Sequence, residues 1–259
     1  KEPPPPNWLV EGMFLRGLVM ILAGDPGAGK TALSQLLSHS LALGRPFLGL
    51  FPTTQTTVCY FDEENSEIDF YQYNQMIWRG LGAPPIEEYG DRLNFYHFAL
   101  GRRGWHDSIA DVLEVKRPGL VVIDTATPVF GVKEENSNDE AYEILGRIKH
   151  LRRSLNGIPS FLILKHERQR DKGQHRTIRG AKGWLDASDR SFYHVVPRGC
   201  RKRIDGLRQT GLIPDKMRTY GLDTPVRILP EWTDKSRKGL IFKAHYDAKL
   251  DSSIHGEES

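Results

Sequence analysis

The sequence contains little cysteine and no long apolar run. Its 259 residues include two cysteines, Cys59 and Cys200, which lack the spacing of a zinc site and do not indicate a disulfide framework. No apolar stretch approaches the ~18 residues of a membrane-spanning helix, and the start of the chain does not read as a signal peptide. These absences exclude a disulfide-stabilised scaffold and a membrane-spanning protein. We therefore expect a cytoplasmic protein with reduced thiols and no membrane partner.

Acidic residues are scarce in one part of the chain. The net charge is +3, but residues 165–218 contain 15 Lys or Arg and 6 Asp or Glu, a surplus of 9. The remaining residues therefore carry a charge of −6 by difference. Such asymmetry indicates a surface that faces a polyanion. The alternative is a solvated face with salt bridges between subunits.

The apolar pattern alternates between strand-like runs and helical periodicity. Strands are predicted at 17–23, 56–61, 119–124 and 159–165, and helices at 30–44, 66–82, 105–116 and 138–155. This order predicts an α/β fold with a mostly parallel central sheet and helices on both faces. After residue 179 short strand-like pieces predict an antiparallel C-terminal extension. The proline run "PPPP" favours an extended linker or arm at 1–14, followed by one domain at 15–250 and a tail at 251–259.

The stretch "GDPGAGKT" matches the phosphate-binding pattern G-x-x-x-x-G-K-[ST] at every fixed position. Glycines allow positive φ and let backbone N–H groups approach phosphate oxygens. Lys30 can reach the β- and γ-phosphates of ATP, and the Thr31 hydroxyl can hold Mg²⁺. The predicted nucleotide contacts are Gly24, Asp25, Pro26, Gly27, Ala28, Gly29, Lys30, Thr31 and Ala32.

Carboxylates follow two other predicted strands. Asp124 ends "GLVVID", where it would hold Mg²⁺ together with Thr31. The strand "VCYF" is followed by Asp62, Glu63 and Glu64, and a carboxylate at that place can orient the attacking water. The residues alone leave open which acid does so, because the others can be solvated or can cap the next helix.

Together these motifs resemble the RecA-like P-loop ATPases, and most closely the RepA-type hexameric replicative helicases. The resemblance rests on the phosphate loop, "VCYFDEENS", "LVVIDT", "LILKHERQ" and "RGAKGWLDASDR", which lie within residues 8–195. It implies Glu64 as the catalytic carboxylate and His166 as a γ-phosphate sensor. It also implies an arginine finger that a neighbouring subunit donates. Arg190 is the best positional match for that finger, with Arg179 and the pair Arg168/Arg170 as rivals.

In RecA-like proteins the loops after the Asp124 and His166 strands face nucleic acid. Here the first, 127–140, is acidic, whereas the second, 167–183, carries six Lys or Arg and two acids. The predicted phosphate contacts are Arg168, Arg170, Lys172, Arg176 and Lys182. Trp184 is expected in the core rather than as a stacking platform.

The resemblance therefore implies a homo-oligomeric ring, with six subunits as the expected number, that hydrolyses ATP with Mg²⁺ and acts on single-stranded DNA. A RecA-like regulatory or recombination ATPase that acts on a protein partner is the alternative. A small-molecule kinase and a nucleotide-binding module without turnover remain further readings.

Overall fold

The computed structural model describes residues 5–24, 27–96, 104–166, 182–197, 200, 205–217 and 221–250. Its strands are β1 Trp8–Val10, β2 Phe14–Leu15, β3 Val19–Gly24, β4 Val58–Asp62, β5 Leu93–Tyr96, β6 Leu120–Asp124, β7 Ser160–His166, β8 Arg190–Val195, β9 Thr210–Met217, β10 Val226–Trp232 and β11 Leu240–Tyr246. Its helices are α1 Lys30–Leu43, α2 Glu67–Gly80, α3 Trp105–Lys116, α4 Ala126–Phe130, α5 Asn138–Ser154 and α6 Gly183–Ala187.

Among the described residues, nine strands form one sheet in the order β11-β10-β9-β8-β3-β7-β6-β4-β5. The strands from β8 to β5 in this order pair in parallel, whereas β8, β9, β10 and β11 pair antiparallel. The interior parallel strands are apolar runs, as expected for strands covered on both faces. This architecture confirms the predicted α/β fold and its antiparallel C-terminal extension.

Two apolar cores lie on opposite faces of the sheet. The first contains α1 and α2, including Leu37 and Phe70, and it also contains Ile228 of β10. The second contains α3 and α5, including Leu113 and Leu145. The antiparallel strands therefore contribute to the same core as the helix that follows the phosphate loop.

The helix boundaries follow the local signals in the sequence. Helix α1 ends at Leu43 and is followed by Gly44, whose φ of 68° is the left-handed conformation that glycine commonly adopts after a helix. Helix α2 begins after Ser66, whose side chain accepts a hydrogen bond from the Asp69 backbone N–H. Ser66 is therefore the N-terminal cap of α2.

Residues 8–14 of the predicted arm pack against the domain, so the predicted boundary between arm and domain needs correction. Strands β1 and β2 pair antiparallel, and Leu9, Val10 and Met13 are fully buried in the first core. The proline run favoured an extended arm, but apolar residues directly after it bury against the domain. Strand β9 was not predicted, since Pro214 and Asp215 interrupt its apolar pattern.

Trp184 is 1% exposed and its ring stacks against Phe130, with centroids 6.3 Å apart. The prediction that it belongs to the core is confirmed. In the part of the chain that the structure describes, no helix has the length and apolar character to cross a membrane.

Candidate nucleotide-binding and hydrolysis site

Strand register brings the predicted site residues to one edge of the sheet. Gly24 at the end of β3 pairs with His166 of β7 on one side and with His194 of β8 on the other. Asp62 of β4 pairs with Asp124 of β6. The carboxyl ends of these parallel strands therefore meet, which is where open α/β sheets bind their ligands.

The phosphate loop has the backbone that an anion cradle needs. Gly27 and Gly29 have φ of 73° and 92°, and a Cβ at Gly27 would find no atom of the described residues within 4 Å. Gly29 directly precedes α1, whose N-terminal N–H groups attract anions. A Cβ at Gly24 would lie 2.3 Å from the His194 carbonyl oxygen, so close strand approach requires glycine there. Asp25 and Pro26 lie outside the described residues.

The Lys30 amine lies inside this cradle. Lys30 is 6% exposed, and its Nζ donates to the Gly24 carbonyl at 2.9 Å and lies 3.4 Å from His166 Nδ1. A protonated lysine offers only donors, so His166 accepts at Nδ1. The opposite ring nitrogen, Nε2, then donates to Glu64 Oε1 at 3.1 Å. The imidazole thus joins the phosphate-binding amine to the predicted catalytic carboxylate.

The surroundings of Glu64 favour its ionised form. The hydrogen bond from His166 lowers the pKa of the Glu64 carboxyl, against partial desolvation, and a hydrogen bond with Thr125 and the Lys30 charge lower it further. Its side chain is 40% exposed, so water can reach it. An ionised carboxylate that contacts water beside the phosphate loop has the geometry of a general base.

Asp124 lies deeper than Glu64. It is 1% exposed, and its carboxylate has hydrogen bonds with the Tyr60 hydroxyl, at 2.7 Å, and with the Thr31 side chain. Burial and the charge of Asp62 raise the pKa of Asp124 to about 7, although the two hydroxyls oppose this shift. A cation beside Asp124 would favour the ionised form.

Asp62 has a structural role in the turn after β4. It is 1% exposed, and its Oδ1 accepts the backbone N–H groups of Glu64 at 2.9 Å and Asn65 at 3.1 Å. The Asn65 amide also donates to both carboxylate oxygens. These bonds fix the turn that directs Glu64 toward His166. Sequence reasoning left the choice among the acids open, and the contacts of Asp62 assign it to the turn.

The donor set fits a nucleoside triphosphate and Mg²⁺. The open glycine backbone, the buried Lys30 amine and the α1 N-terminus match the negative charge of the phosphates. Mg²⁺ prefers oxygen ligands and is commonly held by one or two protein groups, phosphates and waters. Thr31 and Asp124 provide such oxygens next to the loop. No cluster of three or more His, Cys, Asp or Glu side chains with metal-site geometry occurs in the described ranges.

Comparison with protein families places most of the chain within a known family. The model of the AAA domain matches residues 1–172, two thirds of the chain, including the phosphate loop, Glu64, Asp124 and His166. The chain belongs to the AAA domain family. Membership makes it a P-loop ATPase of the AAA and RecA-like type, which binds nucleotide. A search of curated proteins found no match.

Arg190 is not placed as the predicted finger requires. It is 1% exposed, its Nη1 donates to the Met13 carbonyl at 2.7 Å, and its guanidinium lies 5.6 Å from the Trp8 ring centre. A side chain enclosed by its own chain in this way does not extend to a neighbouring subunit. We therefore correct the assignment of Arg190 as the arginine finger. The match in sequence position implied a surface residue, but β8 directs the Arg190 side chain inward. Arg179, Arg168, Arg170, Lys172 and Arg176 lie outside the described residues, and Lys182 is exposed.

Several residues of the site carry no signal in the sequence. Tyr60 and Ser34 are ordinary core positions by pattern, yet their hydroxyls connect to Asp124. His194 lies behind the phosphate loop with its Nε2 2.8 Å from the Thr210 hydroxyl, and its Nδ1 has no partner within the described ranges. These roles arise from contacts between strands that are distant in the chain.

Proposed function

We propose that this chain hydrolyses ATP with Mg²⁺, and that Glu64 activates the attacking water. The observation that carries the proposal is the connection Lys30–His166–Glu64, which places an ionised, water-accessible carboxylate one imidazole away from the phosphate-binding amine. Bound Mg²⁺ would neutralise charge on the phosphates. Thr31 and Asp124 would hold the cation, while Lys30 binds the phosphates and Glu64 accepts the proton of the water.

His166 is proposed to report the nucleotide state. In the structure one ring contacts both Lys30 and Glu64. When Lys30 moves to a γ-phosphate, the imidazole loses its donor at Nδ1, so its hydrogen bond to Glu64 is free to change. His166 ends β7, directly before the basic segment that begins at 167, so a change there has a covalent path to that segment.

The matched substitutions Glu64→Gln and Glu67→Gln test the catalytic assignment. Glu67 is an exposed acid in the first turn of α2. Loss of a general base should lower kcat roughly a hundredfold or more in Glu64→Gln while ATP still binds. Glu67→Gln should retain turnover within about twofold. Equal turnover in both variants would contradict the role of Glu64.

We further propose that the active form is a homo-oligomeric ring, of about six subunits by the resemblance, acting on single-stranded DNA as a RepA-type replicative helicase does. The support is the surplus of 9 positive charges in residues 165–218, a segment that begins with the last two residues of β7. The predicted phosphate-contacting side chains are Arg168, Arg170, Lys172, Arg176 and Lys182. Replacing one of them with glutamine should weaken DNA binding and reduce its salt dependence.

Arg179 and the pair Arg168/Arg170 remain as proposals for the arginine finger that acts between subunits, and the following experiment tests Arg179. In a mixture, Arg179→Ala subunits keep Glu64 and Glu64→Gln subunits keep Arg179. Each variant alone should be nearly inactive, and mixing should restore part of the turnover if the arginine acts in trans. Mixtures that stay inactive across protein concentration would contradict such a finger.

The alternative is a regulatory or recombination ATPase of the RecA-like type that acts on a protein partner without unwinding. Turnover measured across protein concentration, with and without single-stranded DNA, separates the two. A rate per subunit that rises with concentration and with DNA, together with strand displacement, supports the helicase proposal. A rate that does not respond to DNA favours the alternative.

A further inference from the structure

Tyr60 occupies the space between the phosphate-loop helix and the strand that carries Asp124. It lies on β4, is fully buried, and pairs with Val122 of β6. Because side chains alternate along a strand, Asp124, two residues after Val122, is on the same face as Tyr60. Ser34 of α1 faces the same place, so the phenol meets a helix residue and a strand residue at once.

The position of the Tyr60 hydroxyl is fixed from several sides. Its oxygen lies 2.7 Å from Ser34 Oγ and 2.7 Å from Asp124 Oδ2. The ring contacts Phe70 and Phe95, with centroid distances of 5.3 and 5.7 Å. Since a carboxylate only accepts, the phenol donates its proton to Asp124. The single proton of the Ser34 hydroxyl is shared between two acceptors, the phenol oxygen and the Thr31 carbonyl, which lies 2.9 Å from Ser34 Oγ.

These contacts limit what Asp124 can do. A carboxylate that rotates freely loses conformational entropy when it binds a cation. A carboxylate that a rigid donor already holds by one oxygen loses less. The same carboxylate also has a hydrogen bond with Thr31, the other proposed Mg²⁺ ligand. Groups that orient a metal ligand commonly change metal affinity by 10- to 100-fold, even though they do not touch the metal.

We propose that Tyr60, oriented by Ser34, is a positioning residue that holds the Asp124 carboxylate in place for Mg²⁺. This inference rests on the proposed Mg²⁺-dependent hydrolysis. Within the part of the chain that the structure describes, the Tyr60 hydroxyl has no hydrogen bond with the phosphate loop. The Ser34 hydroxyl has one, with the Thr31 carbonyl at 2.9 Å. Binding of nucleotide without Mg²⁺ should therefore not depend on Tyr60.

The test measures binding of a fluorescent ATP analogue, first in EDTA and then at rising free Mg²⁺. Tyr60→Phe should leave the Kd in EDTA within about twofold and raise the free Mg²⁺ needed for half-maximal enhancement about tenfold. Ser34→Ala keeps the phenol and removes the Ser34 hydrogen bonds with Tyr60 and with the Thr31 carbonyl, so we expect a rise of about threefold. Ser34→Ala also decides the matter if Tyr60→Phe does not fold.

Two matched controls come from the same core. Tyr89→Phe removes another buried phenol hydroxyl, which lies 3.2 Å from His39 Nδ1, and Ser38→Ala removes a hydroxyl one turn further along α1. Both should keep the wild-type Mg²⁺ dependence. An unchanged Mg²⁺ requirement in Tyr60→Phe, an equal loss of affinity in EDTA, or the same rise in the controls would overturn the inference. If the wild-type protein itself shows no Mg²⁺ enhancement and no hydrolysis, the proposed function fails instead.

Discussion

Two buried histidines should make the fold sensitive to mild acid. His39 in α1 and His194 in β8 are 0% and 2% exposed. Burial lowers the pKa of His39 from 6.5 to about 4, against a hydrogen bond with Asn74 that raises it. Burial, followed by the positive charge of Lys30, lowers the pKa of His194 from 6.5 to about 3. Both side chains are therefore neutral in the native protein at pH 5, whereas the unfolded chain binds a proton on each.

The sign and the size of the effect follow from proton linkage. The depressed native pKa values contribute stability that is fully present above pH 6.5 and is lost as the pH falls through 6.5 toward 4 and 3. Each histidine changes the free energy of unfolding by about 1.4 kcal/mol per pH unit in that window. Between pH 7 and pH 5 each should cost about 2 kcal/mol, and the pair about 4 kcal/mol.

Urea unfolding at pH 7 and pH 5, followed by circular dichroism, measures this loss. His194→Gln should lose about 2 kcal/mol less than the wild-type protein over that range. Groups that the substitution does not change, including Asp124, contribute equally to both proteins and cancel in the comparison. His150→Gln, at an exposed position of α5, is the matched control and should lose as much as the wild type. If His194→Gln and the wild type lose the same free energy, the reasoning about the buried imidazole is refuted.

Two further substitutions test positions that the structure defines. Gly24→Ala places a Cβ 2.3 Å from the His194 carbonyl oxygen. We expect the free energy of unfolding to fall by about 1–3 kcal/mol and ATP to bind more weakly. Thermal unfolding and nucleotide titration measure these two effects. Arg190→Met leaves the buried Met13 carbonyl without its donor, so the free energy of unfolding measured in urea should fall by about 2 kcal/mol. The kcat per folded molecule should stay near that of the wild type. A stable variant that has lost turnover would restore Arg190 as the arginine finger.

The phosphate loop and the order of strands and helices could be predicted because their signals are local. The phosphate loop lies between an apolar strand and a helix that are only a few residues apart, and it contains Gly27, Gly29, Lys30 and Thr31. Its backbone preferences and its side-chain chemistry therefore predict the same site. The same holds for Asp124, which ends an apolar strand. The place of Glu64 was implied by resemblance, since three adjacent acids carry no local signal that separates them.

The sequence by itself determined the α/β order, the phosphate-binding loop and the acid at the end of β6, since each depends on neighbours within a few residues. Only the tertiary structure decided that Asp62 supports a turn, that Arg190 is enclosed by β1 and its neighbours, and that Tyr60 reaches Asp124. Tyr60 and Asp124 are 64 residues apart. Such contacts depend on which strands pair and in which register, and that pairing is set by burial of the whole sheet rather than by any local pattern.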